Sequence, residues 1–329
     1  MDAEGGTSRA GDAAAAMKVI HMAKVPMPKE KYSGAVGSMA LGDGSVSLGG
    51  VKGMPFLSFE DPQKQRPLLA GEVVDDISDF PPIVLDQFGP SAEDPVSWAL
   101  EWKSKGADII CLRLLSTDPE RKDTPPKEAA TIAKNVADAT GLPLIVYGCG
   151  IADKDAAVME AVGEALEGHR SILAFVEEDS YKRMASTAVA HKHAVLAFSN
   201  LDINLAKQMN ILLTDFGVDR GDIVMDPLMA PLGMGLEYSY SVNERIMLAA
   251  LSGDRMLQVP MVCDASQAWQ VRDCSEEDVA LGDAAERAAW WEFATALAAL
   301  LSGADILIVR GTKAMSLIQE AISDMGGHV

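Results

Sequence analysis

The stretch Asp222-Ile223-Val224-Met225-Asp226-Pro227-Leu228-Met229-Ala230-Pro231-Leu232-Gly233-Met234-Gly235-Leu236-Glu237-Tyr238-Ser239-Tyr240 decides how the rest of the chain is read. A short apolar run, 223–225, delivers the single carboxylate of Asp226, and Pro227 stops a strand there because it cannot donate to a ladder. Pro231, Gly233 and Gly235 break regular structure, so a loop lies over the strand's end until a helix begins near Ser239. A carboxylate at the C-terminal end of a strand, beneath a Pro/Gly loop, is how α/β barrels present a ligand site. The same carboxylate can instead cap the amides of its own loop, and the residues leave both readings open.

Working outward, the unit of apolar run, polar or Gly/Pro break and amphipathic helix repeats along the chain. Strands are expected at 68–73, 108–113, 144–147, 172–176, 194–198, 223–225, 258–263 and 306–309. Helices are expected at 95–104, 126–140, 153–167, 181–191, 203–216, 242–252, 283–301 and 312–325. Continuous apolar runs are the mark of strands buried on both faces, and strict alternation with helices requires right-handed crossovers and a parallel sheet. Eight such units predict an α/β fold, a (β/α)8 TIM barrel. A doubly wound sheet is the alternative, but no Gly-x-Gly-x-x-Gly fingerprint follows any strand. Before the repeats, residues 31–59 alternate small apolar and polar residues around Gly42-Asp43-Gly44, the pattern of a β-hairpin that plugs the barrel's bottom or meets a partner. The expected organisation is a disordered extension over 1–28, a hairpin segment over 29–62 and the barrel over 63–329.

A formal charge of −20 and a pI near 4.6 repel phosphate backbones and anionic lipid, which argues against nucleic-acid or membrane partners and for a cytoplasmic protein. Cys111, Cys149, Cys263 and Cys274 are scattered, with no Cys-x-x-Cys pair, so neither a disulfide framework nor an iron–sulfur or zinc site is expected from this chain alone. The 17 methionines are expected to fill core gaps.

Turns such as Gly106-Ala107-Asp108, Gly221-Asp222 and Gly303-Ala304-Asp305 enter strands and mark the structural bottom of the barrel. Function then belongs to the opposite rim, at Glu72, Asp75, Arg113, Tyr147, Cys149, Glu177, Glu178, Ser199, Asn200, Asp226, Cys263, Asp264 and Arg310. Clustered rim carboxylates suit a divalent cation or simple helix capping. Arg310-Gly311-Thr312 places a helix N-terminus where barrels often hold phosphate, or where Thr312 caps the helix. No histidine falls at a strand end and no Gly-x-Ser-x-Gly elbow exists, so a general base near neutral pH, a hydrolytic nucleophile and an axial nitrogen for a metal macrocycle are all missing. The rim reads as a binding surface rather than a self-sufficient catalyst.

Several motifs stand in register with one family: Lys29-Glu30-Lys31-Tyr32-Ser33-Gly34, Gly49-Gly50-Val51-Lys52-Gly53-Met54-Pro55-Phe56, Gly106-Ala107-Asp108-Ile109-Ile110-Cys111-Leu112-Arg113-Leu114, Pro143-Leu144-Ile145-Val146-Tyr147-Gly148-Cys149-Gly150 and Asp226-Pro227-Leu228. From about Lys29 to its C-terminus the chain resembles the small subunit of the corrinoid/iron–sulfur protein, whose archaeal counterpart is the delta subunit of acetyl-CoA decarbonylase/synthase. The resemblance implies a TIM barrel in a heterodimer with a large corrinoid/iron–sulfur subunit. Its [4Fe–4S] cluster lies in that partner, and the corrinoid (a cobamide) is shared. It further implies a place in the reductive acetyl-CoA (Wood–Ljungdahl) pathway, with a pterin-dependent methyltransferase giving the methyl group and CO dehydrogenase/acetyl-CoA synthase receiving it. The small subunit is then a non-catalytic member whose barrel mouth covers the corrinoid, and no residue is expected to be catalytic or to bind metal. The residues expected to face the cofactor are Asp226, Leu228, Gly233, Met234, Asn200, Cys263, Asp264 and Arg310.

Asp226-Pro227-Leu228 also resembles the pterin-binding methyltransferases, where the matching Asp bonds the pterin ring. That second reading, a corrinoid methyltransferase acting on its own barrel site, meets two departures. Tyr147-Gly148-Cys149 stands where those enzymes have Asn, and Asn200 precedes Asp226 instead of following it.

Overall fold

A computed structural model describes residues 30–55, 66–276 and 278–325. By compactness the chain divides into Met1–Glu30 and Lys31–Val329, and every described element lies in the second unit. The expectation of disorder over 1–28 falls outside the described residues, as does the end of the hairpin segment.

Strands β1 (Ser38–Leu41) and β2 (Val46–Gly49) form an antiparallel hairpin. Its turn needs left-handed backbone, which Gly42 (φ 65°) and Gly44 (φ 96°) supply without a Cβ clash. Eight parallel strands follow: β3 (Leu68–Val74), β4 (Ile109–Arg113), β5 (Leu144–Tyr147), β6 (Ile172–Val176), β7 (Ala194–Phe198), β8 (Ile223–Asp226), β9 (Val262–Asp264) and β10 (Ile306–Val309). Their order, β8-β7-β6-β5-β4-β3-β10-β9, is that of a barrel opened between β8 and β9. That seam is closed by a parallel bridge between Met225 and Met261, with the Met225 N–H donating to the Pro260 carbonyl at 2.8 Å.

Ten α-helices pack around the described strands. They are α1 (Pro82–Leu85), α2 (Pro95–Ser104), α3 (Pro126–Thr140), α4 (Ala152–Ala165), α5 (Tyr181–His191), α6 (Ile203–Phe216), α7 (Leu236–Leu251), α8 (Arg272–Ser275), α9 (Ala284–Ser302) and α10 (Thr312–Asp324). Two elements differ from the sequence expectation in an informative way. Helix α7 begins at Leu236, ahead of Ser239, because Gly235 (φ 100°) turns the chain straight into it. Strand β9 starts later than 258: a 3₁₀ turn occupies Arg255–Leu257 and Pro260 has no N–H for a ladder, so pairing begins with the bridge at Met261 and the strand proper at Val262.

The period-2 alternation of the strands separates two apolar layers. Inward residues such as Ala70, Ile109, Ile145, Ile172, Val224 and Ile306 fill the lumen, and Met39, Leu41 and Leu48 of the hairpin join that cluster. Outward residues pack beneath the helices. The hairpin therefore plugs the barrel, tied down by Gly42 N–H to Arg170 O (2.7 Å) and Arg170 N–H to Gly42 O (3.1 Å). At the same end, the Asp108 carboxylate accepts the Leu69 N–H at 2.9 Å and both arms of Arg66 at 2.7 and 2.8 Å. Asp305 accepts the Met261 N–H at 2.8 Å, and Asp222 pairs with Arg170. Asp108 and Asp305 thus take strand-entry N–H groups, while Asp222 holds the arginine that anchors the hairpin. His193 is also structural, its ring bridging Ser171 N–H (3.2 Å) and Gly163 O (2.9 Å).

Candidate functional site at the barrel mouth

Each barrel strand ends with one inward residue, and together these make the top layer of the lumen. Counting inward positions by twos from Ala70, Cys111, Val262 and Ile308 leads to Glu72, Arg113, Asp264 and Arg310, which form the charged half. Arg113 Nε donates to Glu72 at 2.6 Å and its Nη2 to Asp264 at 2.5 Å. Arg310 pairs with Glu72 through both Nε and Nη2. Asp264 also accepts from Gln267 (2.7 Å) and from the Ser266 N–H and hydroxyl (3.0 and 2.6 Å). Two acids meet two guanidiniums, so the charged half is neutral as a unit. Burial opposes the Glu72 charge, yet Arg310 and Arg113 outweigh it and hold the carboxyl down at about 2.

The other half is aromatic. Tyr147, Phe175 and Phe198 run from β5 to β7, with ring centroids 6.2 Å apart for Tyr147 and Phe175 and 5.3 Å for Phe175 and Phe198. Arg113 stacks on Tyr147, its Cζ 4.5 Å from the ring centroid, which joins the two halves, and Arg310 lies 4.7 Å over Phe80. Tyr147 is only 5% exposed and its hydroxyl has no hydrogen-bond partner, as is true of the buried Ser199 hydroxyl. Asp226 completes the layer beside Phe198, 7% exposed. Its Oδ1 accepts the Leu228 N–H at 2.9 Å, so the carboxylate does cap its own loop. Burial pushes Asp226 up to about 7; the Leu228 N–H pulls it down and nearby Asp264 adds to the rise. The Tyr147 phenol is likewise raised, first by burial and then by Asp226.

Above Asp226 the loop is held from two sides. Ser239 Oγ donates to Leu228 O (3.0 Å) and accepts the Ala230 N–H (2.7 Å), while Trp291 of α9 donates to Leu232 O (2.7 Å) and Thr295 accepts the Leu232 N–H (3.2 Å). Leu228 (φ 74°), Asn200 (φ 41°) and Leu201 (φ 62°) adopt left-handed backbone without being glycine, and they sit side by side, linked by Leu201 N–H to Pro227 O at 2.8 Å. The fixed loop turns Leu232 and Met234 (57% exposed) to solvent, and Tyr238 (65%) joins them from the first turn of α7.

The residues singled out from sequence therefore separate. Asp226, Asp264 and Arg310 lie in the top layer, Leu228, Gly233 and Met234 in the lip above it, and exposed Asn200 in the adjoining loop. Cys263 is a correction. Between inward Val262 and Asp264 it must face outward, where it is fully buried and accepts a contact from Asn243 Nδ2 at 3.3 Å, so it does not reach the mouth. Asp75 is taken up by Ser116 (2.8 and 2.5 Å) and Cys149 by Asp155, while Glu177 and Glu178 are exposed.

The helix N-terminus after β10 is a second correction. Glu292 of α9 reaches across and accepts the N–H groups of Arg310 (2.6 Å) and Gly311 (2.9 Å) and the Trp269 indole N–H (3.0 Å). Gln87 accepts both the N–H and hydroxyl of Thr312 (2.9 and 3.1 Å). The chain's own side chains thus hold the positions offered to a phosphate, and Thr312 is not the cap. Among the described residues no three His, Cys, Asp or Glu side chains converge on a metal position, and no helix is long and apolar enough to cross a membrane.

A family profile described as the CO dehydrogenase/acetyl-CoA synthase delta subunit matches residues 35–322. The chain belongs to that family. It is 37% identical over 299 residues to the acetyl-CoA decarbonylase/synthase complex subunit delta of Methanothermobacter thermautotrophicus, covering 89% of this chain and 76% of that protein. The subunit of the same name from Archaeoglobus fulgidus is 34% identical over 325 residues, 93% of this chain and 72% of that one. Among solved structures, dihydropteroate synthase from Xanthomonas albilineans in complex with 7,8-dihydropteroate superposes with a TM-score of 0.52 at 17% identity, covering 78% of this chain and 94% of that chain. Dihydropteroate synthase from Thermus thermophilus gives 0.51 at 19% identity, with the same coverage. At such identity the likeness concerns the fold, and it agrees with the TIM barrel. What reading the sequence missed in this delta-family chain is the aromatic half, Phe175 and Phe198, and the carboxylate of Glu292. The aromatics carried a usable signal, since both stand at strand ends. Glu292, inside a long apolar helix, carried none.

Proposed function

We propose that this delta-family chain is the small subunit of a cytoplasmic, heterodimeric corrinoid/iron–sulfur methyl carrier of the reductive acetyl-CoA pathway, its barrel mouth laid over the corrinoid of a larger partner. A pterin-dependent methyltransferase and CO dehydrogenase/acetyl-CoA synthase are the methyl donor and acceptor on this reading, and the iron–sulfur cluster belongs to the partner. The observation that carries it is the division of labour at the mouth: the charged groups are consumed by one another, and the fixed loop above them offers apolar side chains outward. A site of that kind covers and excludes water, and the one carboxyl outside the paired set, Asp226, is engaged by the Leu228 N–H of its own loop.

The residues fit a corrinoid held from elsewhere. Leu228, Leu232, Met234 and Tyr238 would meet the apolar face of a macrocycle and exposed Asn200 its amide side chains, while the three described histidines lie toward the barrel's lower end, away from the mouth. When bound, the corrinoid supplies the cobalt that carries the methyl group. The chain's contribution is shape, dryness and a neutral field. Co-expression with a large corrinoid/iron–sulfur subunit tests this directly: a brown 1:1 complex is expected, whereas separate elution, with this chain colourless, contradicts it.

One observation favours a second reading, a pterin-binding corrinoid methyltransferase. Asp226, a carboxyl raised to about 7, stands in the same layer as the partnerless Tyr147 hydroxyl and two phenylalanine rings, a lining suited to a flat heterocycle with N–H groups. Calorimetric titration of the isolated chain with a methylated tetrahydropterin decides. Saturable heat lost in Asp226→Ala favours this reading; no heat removes it.

A further inference from the structure

The connection from β9 to α9 contains a feature that the mouth does not use. Arg287, in the first turns of α9, lies partly beneath it and spends its guanidinium on backbone carbonyls alone. Nε donates to Asp273 O (2.7 Å), Nη1 to Leu281 O (3.0 Å) and Gly282 O (3.2 Å), and Nη2 to Glu276 O. The 3₁₀ turn Val279–Leu281 that it staples has no buried residue. Val279 is 100% exposed and Leu281 45%, and Trp290, one turn along α9 from Arg287, is 52% exposed. A single exposed apolar residue needs no explanation. Here, though, a cation fixes a turn that buries nothing, and the fixed turn presents a valine entirely to water.

The surroundings specify what fits it. Among the described carboxylates between Arg272 and Arg287, Glu276 pairs with Arg272 and Glu286 with Lys313 of α10, which leaves Asp273, Asp278 and Asp283 in excess beside the turn. Arg272 is itself paired with Glu276 at 2.7 Å and Arg287 is spent on carbonyls, so neither cation is left for a partner. A second copy is a poor occupant: a chain carrying 48 acids against 28 bases would bring like charge to like charge. We infer that the turn at Val279 is a docking knob for a different protein chain, one that presents a small apolar notch bordered by lysine and arginine. Apolar contact gives such an interface its centre, and the acidic rim speeds encounter and fixes orientation.

The inference goes beyond the corrinoid reading and does not depend on it. To test it, a photocrosslinking amino acid replaces Val279 in the full chain, expressed at its native level in intact cells, and adducts are mapped by mass spectrometry. The expected result is an adduct to another protein at a site flanked by Lys or Arg. With that protein purified, its affinity for the chain should fall about tenfold for Val279→Asp and fall again in about 0.5 M salt, while circular dichroism of the variant is unchanged. Adducts confined to this chain, adducts to a second copy, no adduct, or an affinity indifferent to both Val279→Asp and salt would each overturn it. The colour and stoichiometry of the corrinoid complex are read separately, so failure of the knob is distinguishable from failure of the proposed function.

Discussion

Glu72 at the end of β3 and Arg113 at the end of β4 meet through a 2.6 Å hydrogen bond, with the Glu72 side chain wholly removed from solvent and a second guanidinium, that of Arg310, on the same carboxylate. A buried anion shared by two cations is stable only as a set, because removing one member leaves its partners desolvated and unpaired. Glu72→Gln should therefore cost about 3–5 kcal/mol in urea denaturation at pH 7. The folded pKa lies near 2, below the ordinary 4.5, so this stabilisation is fully present above pH 4.5 and is lost as pH falls through 2. The wild-type advantage over the variant should shrink over that interval.

Asp226 shifts the opposite way. Its folded pKa of about 7 lies above the usual 3.8, so the folded state holds the proton more tightly, and stability contributed by the neutral form declines as pH rises from about 4 through 7. Asp226→Asn keeps an oxygen for the Leu228 N–H and cannot ionise. It should gain stability relative to wild type on going from pH 5 to pH 8, by a kcal/mol or more, about 1.4 kcal/mol for each pKa unit realised. Denaturation curves at the two pH values measure it, and a pH-independent difference would show that Asp226 is already charged at pH 5.

Tyr147→Phe removes a buried hydroxyl that bonds to nothing while keeping the ring under Arg113. The expected effect is neutral to stabilising by about 1 kcal/mol, since deleting an unsatisfied polar atom relieves its desolvation cost. Tyr147→Leu, which also loses the stacking, should instead destabilise by about 1–3 kcal/mol. Thermal unfolding of the two variants separates hydroxyl from ring.

Leu232→Asp and Met234→Asp place charge on the exposed lip without touching the core. Stability should stay within about 0.5 kcal/mol of wild type, as for most surface changes. Affinity for the corrinoid subunit should fall about tenfold for each, which corresponds to about 1.4 kcal/mol. Fluorescence titration of the large subunit gives the affinity.

Much of the barrel was legible because its punctuation is local. Helix α3 runs from Pro126, whose missing N–H costs nothing in a first turn, to Thr140 before Gly141, which takes the left-handed cap at φ 66°, and both signals are written in the sequence. Strand β9 was not, because its limits depend on which neighbour offers a ladder: Val259 is as apolar as any strand residue, yet the 3₁₀ turn and Pro260 delay pairing to the Met261 bridge. At the site, Asp226 and Arg310 could be placed from strand ends alone. Cys263 was misplaced for want of counting alternation back from Asp264, which sends it to the helices. Glu292 was beyond sequence reasoning, since its partners at Arg310 and Gly311 lie on the next strand–helix loop and are joined to it only by the fold.

If the mouth covers a corrinoid carried by another chain, amide hydrogen exchange over residues 228–238 and 199–201 should report it, compared between the isolated chain and its complex with the corrinoid-loaded large subunit. Strong protection of both segments is expected in the loaded complex, and partial protection when the large subunit lacks corrinoid. Unchanged exchange at the lip in a complex that has demonstrably formed would contradict it.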